Sequence, residues 1–354
     1  MTPLRLLSLA GDGIGPEIMA ATVSVLDALR PAIGRAVEVE EMAIGFGALK
    51  ASGSTIPEPV ITAAQAVDGV LLGPVSHNAY PPREAGGLNP SGVLRKRLDL
   101  HANIRPARSW DGVASPIASR VDLIVVRENL EGFYADRNME SGPGELMPVP
   151  GVALSFRKIT ENGSRKIAET AFRIAAQRPA RRVTAVHKAN VMRLTDGLFL
   201  DTVRAVAARH PNVAYDEVLV DAAAAHMVRN PGRFDTIVTT NMFGDILSDL
   251  ACELSGGLGL GGSLNLGTRH AAAQAQHGSA PDIAGEDRAN PVSLILSLAM
   301  LLRHLGETRA AEAVQIAVSD LLVRAETRTP DLGGRLGTQA FTTHLTHKIA
   351  EVLS

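Results

Sequence analysis

The sequence predicts an α/β fold in which a parallel sheet is covered by helices, and three observations carry that prediction. Strand-like apolar runs alternate with amphipathic stretches from the first residues onward, the pattern of successive strand and helix units. The alternation resumes after residue 120 and continues to residue 255. At 354 residues, with 45% hydrophobic and 20% charged side chains, the chain can form two domains or one large one and has an ordinary globular composition.

The first unit runs from a strand over residues 4–10 into a helix over 16–29. LRLLSLA at its start is shorter than a signal-peptide core and passes straight into GDGIGPE with no small-residue cleavage pattern, so it reads as a strand. A strand over 37–42, a helix over 58–67 and the short apolar run GVLLG follow. In the middle of the chain come DLIVV, a helix over 163–177, RVTAV, a helix over 196–208, VAYDEVLV and FDTIVT. The glycine-rich SGGLGLGGSLNLG interrupts the pattern, and helices over 291–305, 307–325 and 338–352 finish the chain. Residues 135–155 stand apart, because Pro143, Pro148, Pro150 and several Gly leave no helical period. A stretch of this kind is a loop or a protruding arm.

Composition excludes some functions. A formal net charge of −2 with only three Tyr, one Trp and eight Phe offers neither the basic surface nor the stacking platforms that nucleic acid requires. The longest apolar run, 292–302, falls well short of a membrane span and reads as a buried helix. The single Cys252 cannot form an internal disulfide, which fits a reducing compartment, and it reads as a small core residue. A cytoplasmic protein acting on a small molecule, with neither nucleic acid nor membrane as partner, is the expectation.

NMFGDILSD (241–249) is the stretch richest in chemistry. Asp245 and Asp249 are four apart, so on a helix they share one face and repel each other unless a cation lies between them. Hard oxygen ligands of this kind suit Mg²⁺ or Mn²⁺, and the competing reading is a solvated acidic face. FDTIVT leads directly into this helix, and ligands of open α/β sheets bind beyond strand ends. GDGIGPE carries Gly11, Gly13 and Gly15 but has Pro16 where G-x-G-x-x-G needs glycine, leaving a tight turn or a ligand loop. LRKRLDLHANIRPA supplies Arg95 and Arg105, and VVRENLEGFY supplies Arg127 and Tyr134. Arginine suits bidentate binding of carboxylates, and three of them either converge on a polyanion or are scattered on the surface. Lys188 in VHKAN and Asp221 in LVDAAAAHMV each follow an apolar strand. The lysine either snorkels to solvent or serves as a proton-transfer group. HGSAPDIAG (277–285) is a Gly, Ser and Pro loop whose Asp282 could accept bonds from ribose hydroxyls and repel a 2′-phosphate.

These motifs occur in the order seen in the β-decarboxylating dehydrogenases, and the chain resembles that isocitrate/3-isopropylmalate dehydrogenase family nearly throughout, to the late DLGGRLGTQAF. The resemblance implies a two-domain isopropylmalate dehydrogenase-like fold, with parallel and mixed sheets flanked by helices, rather than a standard Rossmann fold. It implies a large cofactor domain from residues 1–100 and 256–354, a small dimerisation and metal domain from 101–255, and an intersubunit clasp near 135–155. It also implies a homodimer with shared active sites, in which Asp245 and Asp249 hold Mg²⁺ or Mn²⁺ with Asp221 of the partner subunit. Ser91, Arg95, Arg105 and Arg127 would bind the substrate, Lys188 and Asp221 would take the hydroxyl proton, and Tyr134 would protonate the enolate at C3. In the nucleotide loop His277, Gly278, Ser279, Ala280, Asp282 and Ile283 would face NAD, joined by Ile14, Asn190 and Asn290. Asp282 and Ile283 match the NAD-preferring members; NADP-preferring ones have Lys and Tyr here.

Isopropylmalate members typically carry a Leu-Leu pair just before LRK, where this chain has Asn89, Ser91 and Gly92. REN-x-EG-Y, with Glu128 and Asn129, and VHKAN are closer to the isocitrate, homoisocitrate and tartrate or malate branches. The expected substrate is therefore a 3-substituted malate with a polar substituent, as in isocitrate or homoisocitrate. The alternatives are 3-isopropylmalate, tartrate, D-malate and a degenerate or regulatory subunit. Gln274 stands where Glu is common and Ala222 where Asn is common, differences that bear on cofactor orientation and the surroundings of the metal.

Overall fold

A computed structural model describes residues 2–134 and 144–354. Its strands are β1 (Leu4–Leu9), β2 (Val37–Glu41), β3 (Gly69–Leu72), β4 (Ala102–Arg108), β5 (Asp122–Glu128) and β6 (Glu145–Val149). They continue with β7 (Val152–Ser155), β8 (Arg182–His187), β9 (Ala214–Leu219), β10 (Thr236–Thr239), β11 (Leu264–Leu266) and β12 (Ala271–Gln274). Ten of them form one sheet in the order β2-β1-β3-β12-β11-β4-β5-β10-β8-β9. The alternating α/β architecture matches expectation, and the sheet is mixed, as the family resemblance implies, rather than purely parallel as the alternation alone suggests. β2, β1, β3 and β12 are mutually parallel, as are β5, β10, β8 and β9, whereas β11 and β4 run antiparallel to both neighbours. One end of the sheet is built from residues 4–72 with 271–274, and the other from residues 102–239.

The parallel strands are buried runs such as GVLL of β3, as expected of a sheet covered on both faces. Against them packs the Val292–His304 helix, apolar nearly all round and buried along most of its length. Three elements give no clear pattern in sequence. β4, ANIRPAR, mixes Asn, Arg and Pro into a buried strand. β11 is three residues inside the glycine-rich tract, and β12, AAAQ, lacks the β-branched residues that mark strands.

Residues 135–143 of the expected arm lie outside the described residues. The rest of the arm is a β6–β7 hairpin, not an irregular loop. Leu146, Met147, Val149, Val152 and Leu154 are all exposed on it. No helix among the described residues is long and apolar enough to cross a membrane.

The element that positions the chemistry is the Asn241–Ser255 helix, which begins two residues after β10 ends and lies across β5 and β4. The carboxylates therefore sit over the face of these strands rather than beyond a strand end. Glycine at 244 permits the approach: a Cβ there would come within 2.6 Å of Arg127 Cγ and 3.2 Å of Arg127 Cα. Gly244→Ala is expected to lower stability by about 1–3 kcal/mol, the cost of overpacking a tight contact. Urea unfolding measures it, and an unchanged midpoint would contradict the close packing.

Candidate active site

β4 and β5 pair with Asn103 opposite Arg127 and Arg105 opposite Val125, so both arginines rise beneath the Asn241–Ser255 helix. Arg127 is 2% exposed. Its Nε and Nη2 donate to Asn241 Oδ1 at 2.9 and 2.7 Å, Nη2 also donates to the Tyr134 hydroxyl at 2.8 Å, and Nη1 forms an ion pair with Asp245 Oδ1. Arg105 Nη1 reaches Asp245 Oδ1 at 3.0 Å and Asp249 Oδ1 at 3.2 Å, and also donates to Ser248 Oγ at 2.8 Å. One cationic nitrogen thus spans both acids. The Tyr134 hydroxyl donates to Asp245 Oδ2 at 2.9 Å. Burial pushes the Asp245 carboxyl up, but Arg127, Arg105 and the Tyr134 bond outweigh it and hold the group below the usual carboxylate range.

Lys188 lies just past β8 and Asp221 in the first turn of the Val220–Arg229 helix. Their Nζ and Oδ2 are 2.9 Å apart, and the Lys188 bond lowers the Asp221 pKa. Asp221 does not join Asp245 and Asp249 within one chain: the described residues contain no group of three His, Cys, Asp or Glu that could hold a metal. A carboxylate pair bridged by a single cationic nitrogen nevertheless fits a divalent ion that shares its other positions with water and substrate oxygens.

Ser91 and Arg95 share a face of the Pro90–Arg97 helix, and Asn89 caps it by accepting from Gly92 N at 3.2 Å. Gln274 Oε1 accepts from Ser91 Oγ at 3.2 Å and from Arg95 Nη2 and Asn265 Nδ2 at 3.1 Å each. Asn265 Oδ1 in turn accepts from Asn103 at 2.7 Å and Asn129 at 3.0 Å, and Asn103 holds Arg105 Nε at 2.8 Å. A neutral amide network therefore joins Arg95 to Arg105, and Gln274 orients Arg95 without cancelling its charge.

The acids of VVRENLEGFY are used by the scaffold. Glu128 accepts from the backbone of Leu130 at 2.7 Å and Glu131 at 2.8 Å, and burial pushes its carboxyl up to about 7. Glu131 accepts from Thr160 N at 2.8 Å and Oγ1 at 2.5 Å, at the start of the Glu161–Ala176 helix. These contacts turn the chain after Arg127 so that Tyr134 returns to Asp245.

The GDGIGPE and HGSAPDIAG loops meet. Ile14 N donates to Ser279 O at 2.9 Å, and a Cβ on Gly13, whose φ is +58°, would fall 1.9 Å from the same oxygen. Asp12 ties in the neighbouring chain by accepting from Phe46 N at 2.8 Å, Ser76 N at 2.9 Å and the Tyr80 hydroxyl. Ser76 Oγ lies 2.8 Å from Ser279 Oγ. His277 Nδ1 lies 2.9 Å from Gly278 O and donates to it, which leaves Nε2 as an acceptor. That Nε2 is buried without a hydrogen-bond partner, and burial lowers the ring's pKa, so the imidazole is neutral. Ala280 follows with φ +35°, while Gly278, Asp282 and Asn190 are exposed and Ile283 is half-buried. Asn290 is engaged inside the chain, donating to Asp331 at 2.8 Å and accepting from Val292 N at 3.0 Å. The structure thus gathers the arginines, Tyr134, Asp245 and Asp249 at one site, and Ile14 with the 277–283 loop in a cradle. It adds Asn103, Asn241, Asn265 and Asp12, which sequence reasoning missed. Each lies inside a stretch that the sequence singles out, Asn241 in NMFGDILSD, Asn103 in LRKRLDLHANIRPA, Asn265 in SGGLGLGGSLNLG and Asp12 in GDGIGPE, but nothing there marks it as a partner of the site.

Together with the mixed sheet, this arrangement places the protein among the oxidatively decarboxylating dehydrogenases. The family model described as "Isocitrate/isopropylmalate dehydrogenase" matches residues 5–349, and the chain belongs to that family. It is 43% identical to an isocitrate/homoisocitrate dehydrogenase of Thermus thermophilus over 339 residues, 96% of each chain. It is 42% identical to a 3-isopropylmalate dehydrogenase of Leifsonia xyli, covering 91% of this chain and 92% of the relative. The crystal structure of isocitrate dehydrogenase from Methylococcus capsulatus superposes with a TM-score of 0.88 at 38% identity, covering 98% of this chain and 99% of the other.

The Glu128 environment has a pH consequence. Its folded pKa, about 7, lies above the ordinary glutamate value of about 4.3, so the folded state holds this proton more tightly than the unfolded one. Its stabilising contribution is present below pH 4 and is lost as pH rises through 7. Glu128→Gln removes that loss, so the stability of the variant relative to wild type is expected to rise between pH 5 and pH 8 in urea unfolding. A difference independent of pH would contradict this.

Proposed function

We propose that the protein oxidatively decarboxylates a 3-substituted malate with a polar substituent, as in isocitrate or homoisocitrate, using NAD and Mg²⁺ or Mn²⁺. The observation that carries this reading is the pairing of two helix-borne carboxylates with buried Arg105 and Arg127 and with Arg95 nearby. Three guanidinium groups face two carboxylates, Gln274 adds no charge, and Lys188 and Asp221 cancel. The surplus of positive charge, increased by a divalent ion, suits a tricarboxylate better than the dicarboxylate 3-isopropylmalate. An isopropyl group would also want an apolar wall, and the Pro90–Arg97 helix offers Ser91 and Gly92 behind its Asn89 cap. Identities of 43% and 42% to relatives named for different substrates do not separate the two, so the site residues carry the choice.

When bound, the nicotinamide supplies the hydride acceptor and the divalent ion a Lewis acid. The chain's own groups do the rest. Arg95, Arg105 and Arg127 bind and orient the substrate carboxylates, and Ser91 faces the 3-substituent. Lys188 first passes a proton to the Asp221 carboxylate 2.9 Å away and then, as the neutral amine, receives the 2-hydroxyl proton. Tyr134, whose hydroxyl is already held by Arg127 and Asp245, returns a proton to C3 after CO₂ leaves. His277 Nε2 offers an acceptor to the nucleotide, and the exposed Asp282 favours ribose hydroxyls over a 2′-phosphate. Residues 1–100 with 256–354 are read as the cofactor domain and 101–255 as the dimerisation and metal domain. Because Asp221 stands apart from Asp245 and Asp249, we assign it to the metal of the second subunit in a homodimer. The apolar β6–β7 hairpin, too small to be stable alone, suits an intersubunit clasp. The lone buried Cys252 supports a reducing, cytoplasmic setting.

NADH formation with Mn²⁺ is expected to run at least about tenfold faster in kcat/KM with isocitrate or homoisocitrate than with 3-isopropylmalate. NAD is expected to outperform NADP. A lead for 3-isopropylmalate, or for NADP, would overturn the corresponding assignment. Sedimentation is expected to give a dimer, and a monomer would remove the shared metal site.

A further inference from the structure

Asp196 is fully buried in the first turn of the Thr195–Ala207 helix, and a carboxylate in that setting must be paired and hydrogen-bonded. Its Oδ1 forms an ion pair with Arg157 Nη1, and its Oδ2 accepts the backbone N–H of Lys188. The Lys188 carbonyl is fixed as well, accepting from Val191 N at 3.0 Å and Met192 N at 2.9 Å, while Asp196 N donates to Met192 O at 3.0 Å. Residues 188–196 thus close into a ring that anchors the Lys188 backbone, and only the side chain remains free to carry its ammonium to Asp221.

The other partner, Arg157, reaches the segments that bear Tyr134 and Asp245. Its Nη1 donates to Thr195 Oγ1 at 2.8 Å and its Nη2 to Thr240 Oγ1 at 2.9 Å. Its guanidinium carbon lies 5.6 Å from the Phe133 ring centroid and 5.5 Å from that of Phe243. Phe133 immediately precedes Tyr134, and Thr240 and Phe243 flank the start of the helix that carries Asp245. One planar cation therefore touches the three segments bearing Lys188, Tyr134 and Asp245. Lysine could not do the same, because a point charge has no plane to lay against aromatic rings while donating to three oxygens.

We infer that Asp196 and Arg157 are positioning residues: their buried ion pair sets the backbone from which Lys188 and Tyr134 exchange protons with substrate. The inference rests on the roles proposed above for those two groups. The test uses Asp196→Asn and Arg157→Lys in the full-length enzyme with Mn²⁺, NAD and the best substrate. Misplacement of proton-transfer groups predicts a kcat loss of about 10- to 100-fold with KM values within about threefold of wild type. It also predicts a displaced limb in the pH profile of kcat. Independently of turnover, the titration of Lys188 followed by ¹³C NMR of the reductively methylated protein, assigned with Lys188→Met, is expected to shift. Folded variants with wild-type kcat, pH profile and Lys188 titration overturn the inference, whatever their melting temperature. If Asp196→Asn does not fold, Arg157→Lys retains the buried charge pair and carries the same readouts. A wild type inactive on every substrate would count against the proposed function, while the NMR titration would still decide the positioning role.

Discussion

A guanidinium as deeply buried as that of Arg127 must have its charge met and its donors satisfied within the protein. Its partners are Asn241, Asp245 and Tyr134. To deliver them, the Asn241–Ser255 helix must lie directly on β5, which Gly244 permits. The turn after β5 must also bring Tyr134 back, which Glu128 and Glu131 enforce through backbone N–H groups and the following helix start. Arg105, one strand over, then meets both acids of the same helix. The site is thus a solution to the problem of burying two charged strand residues, and the antiparallel pairing of β4 with β5 sets their spacing.

Without substrate, Arg105 and Arg127 are paired with Asp245 and Asp249, and Arg95 is held by the neutral Gln274. On the proposed reading, binding would exchange partners: the arginines would turn to the carboxylates of the substrate, and Asp245 and Asp249 would be left to hold a divalent ion. Because the groups are already ionised and oriented, little reorganisation accompanies the exchange. The neutral Asn103–Asn265–Gln274 network serves the same end, holding Arg95 and Arg105 in place without competing for their charge.

Much of this was legible in the sequence, and the limits have physical causes. The parallel strands and long helices have clear periods, so their order was readable. The four-residue spacing of Asp245 and Asp249 survives folding because a helix fixes it. β4, β11 and β12 were not readable, since their stability comes from burial between neighbours rather than from β-forming residues. Nor could spacing show that the acid helix folds back over the face of the sheet, or that Arg105 Nη1 would touch both carboxylates. Glu128 and Asn129 marked a branch of the family by their identity, yet Glu128 serves the turn and Asn129 the amide network. Gln274, which the sequence marks as a departure bearing on cofactor orientation, is a hub that joins Ser91, Arg95 and Asn265.

The order of the sheet also constrains how the chain can acquire its structure. β11 and β12 are inserted between β3 and β4, so strands made early in synthesis stay unjoined until residue 274 has been made. Until then β3 and β4 each present an open hydrogen-bonding edge, wholly apolar in β3, the kind of edge that pairs with other chains. Closure across so long a loop is slow, because its entropy must be overcome before the new contacts form. The alanine-rich β12 and the three-residue β11 therefore act as the keystone of assembly. A nascent chain that stalls before them is the form most exposed to aggregation.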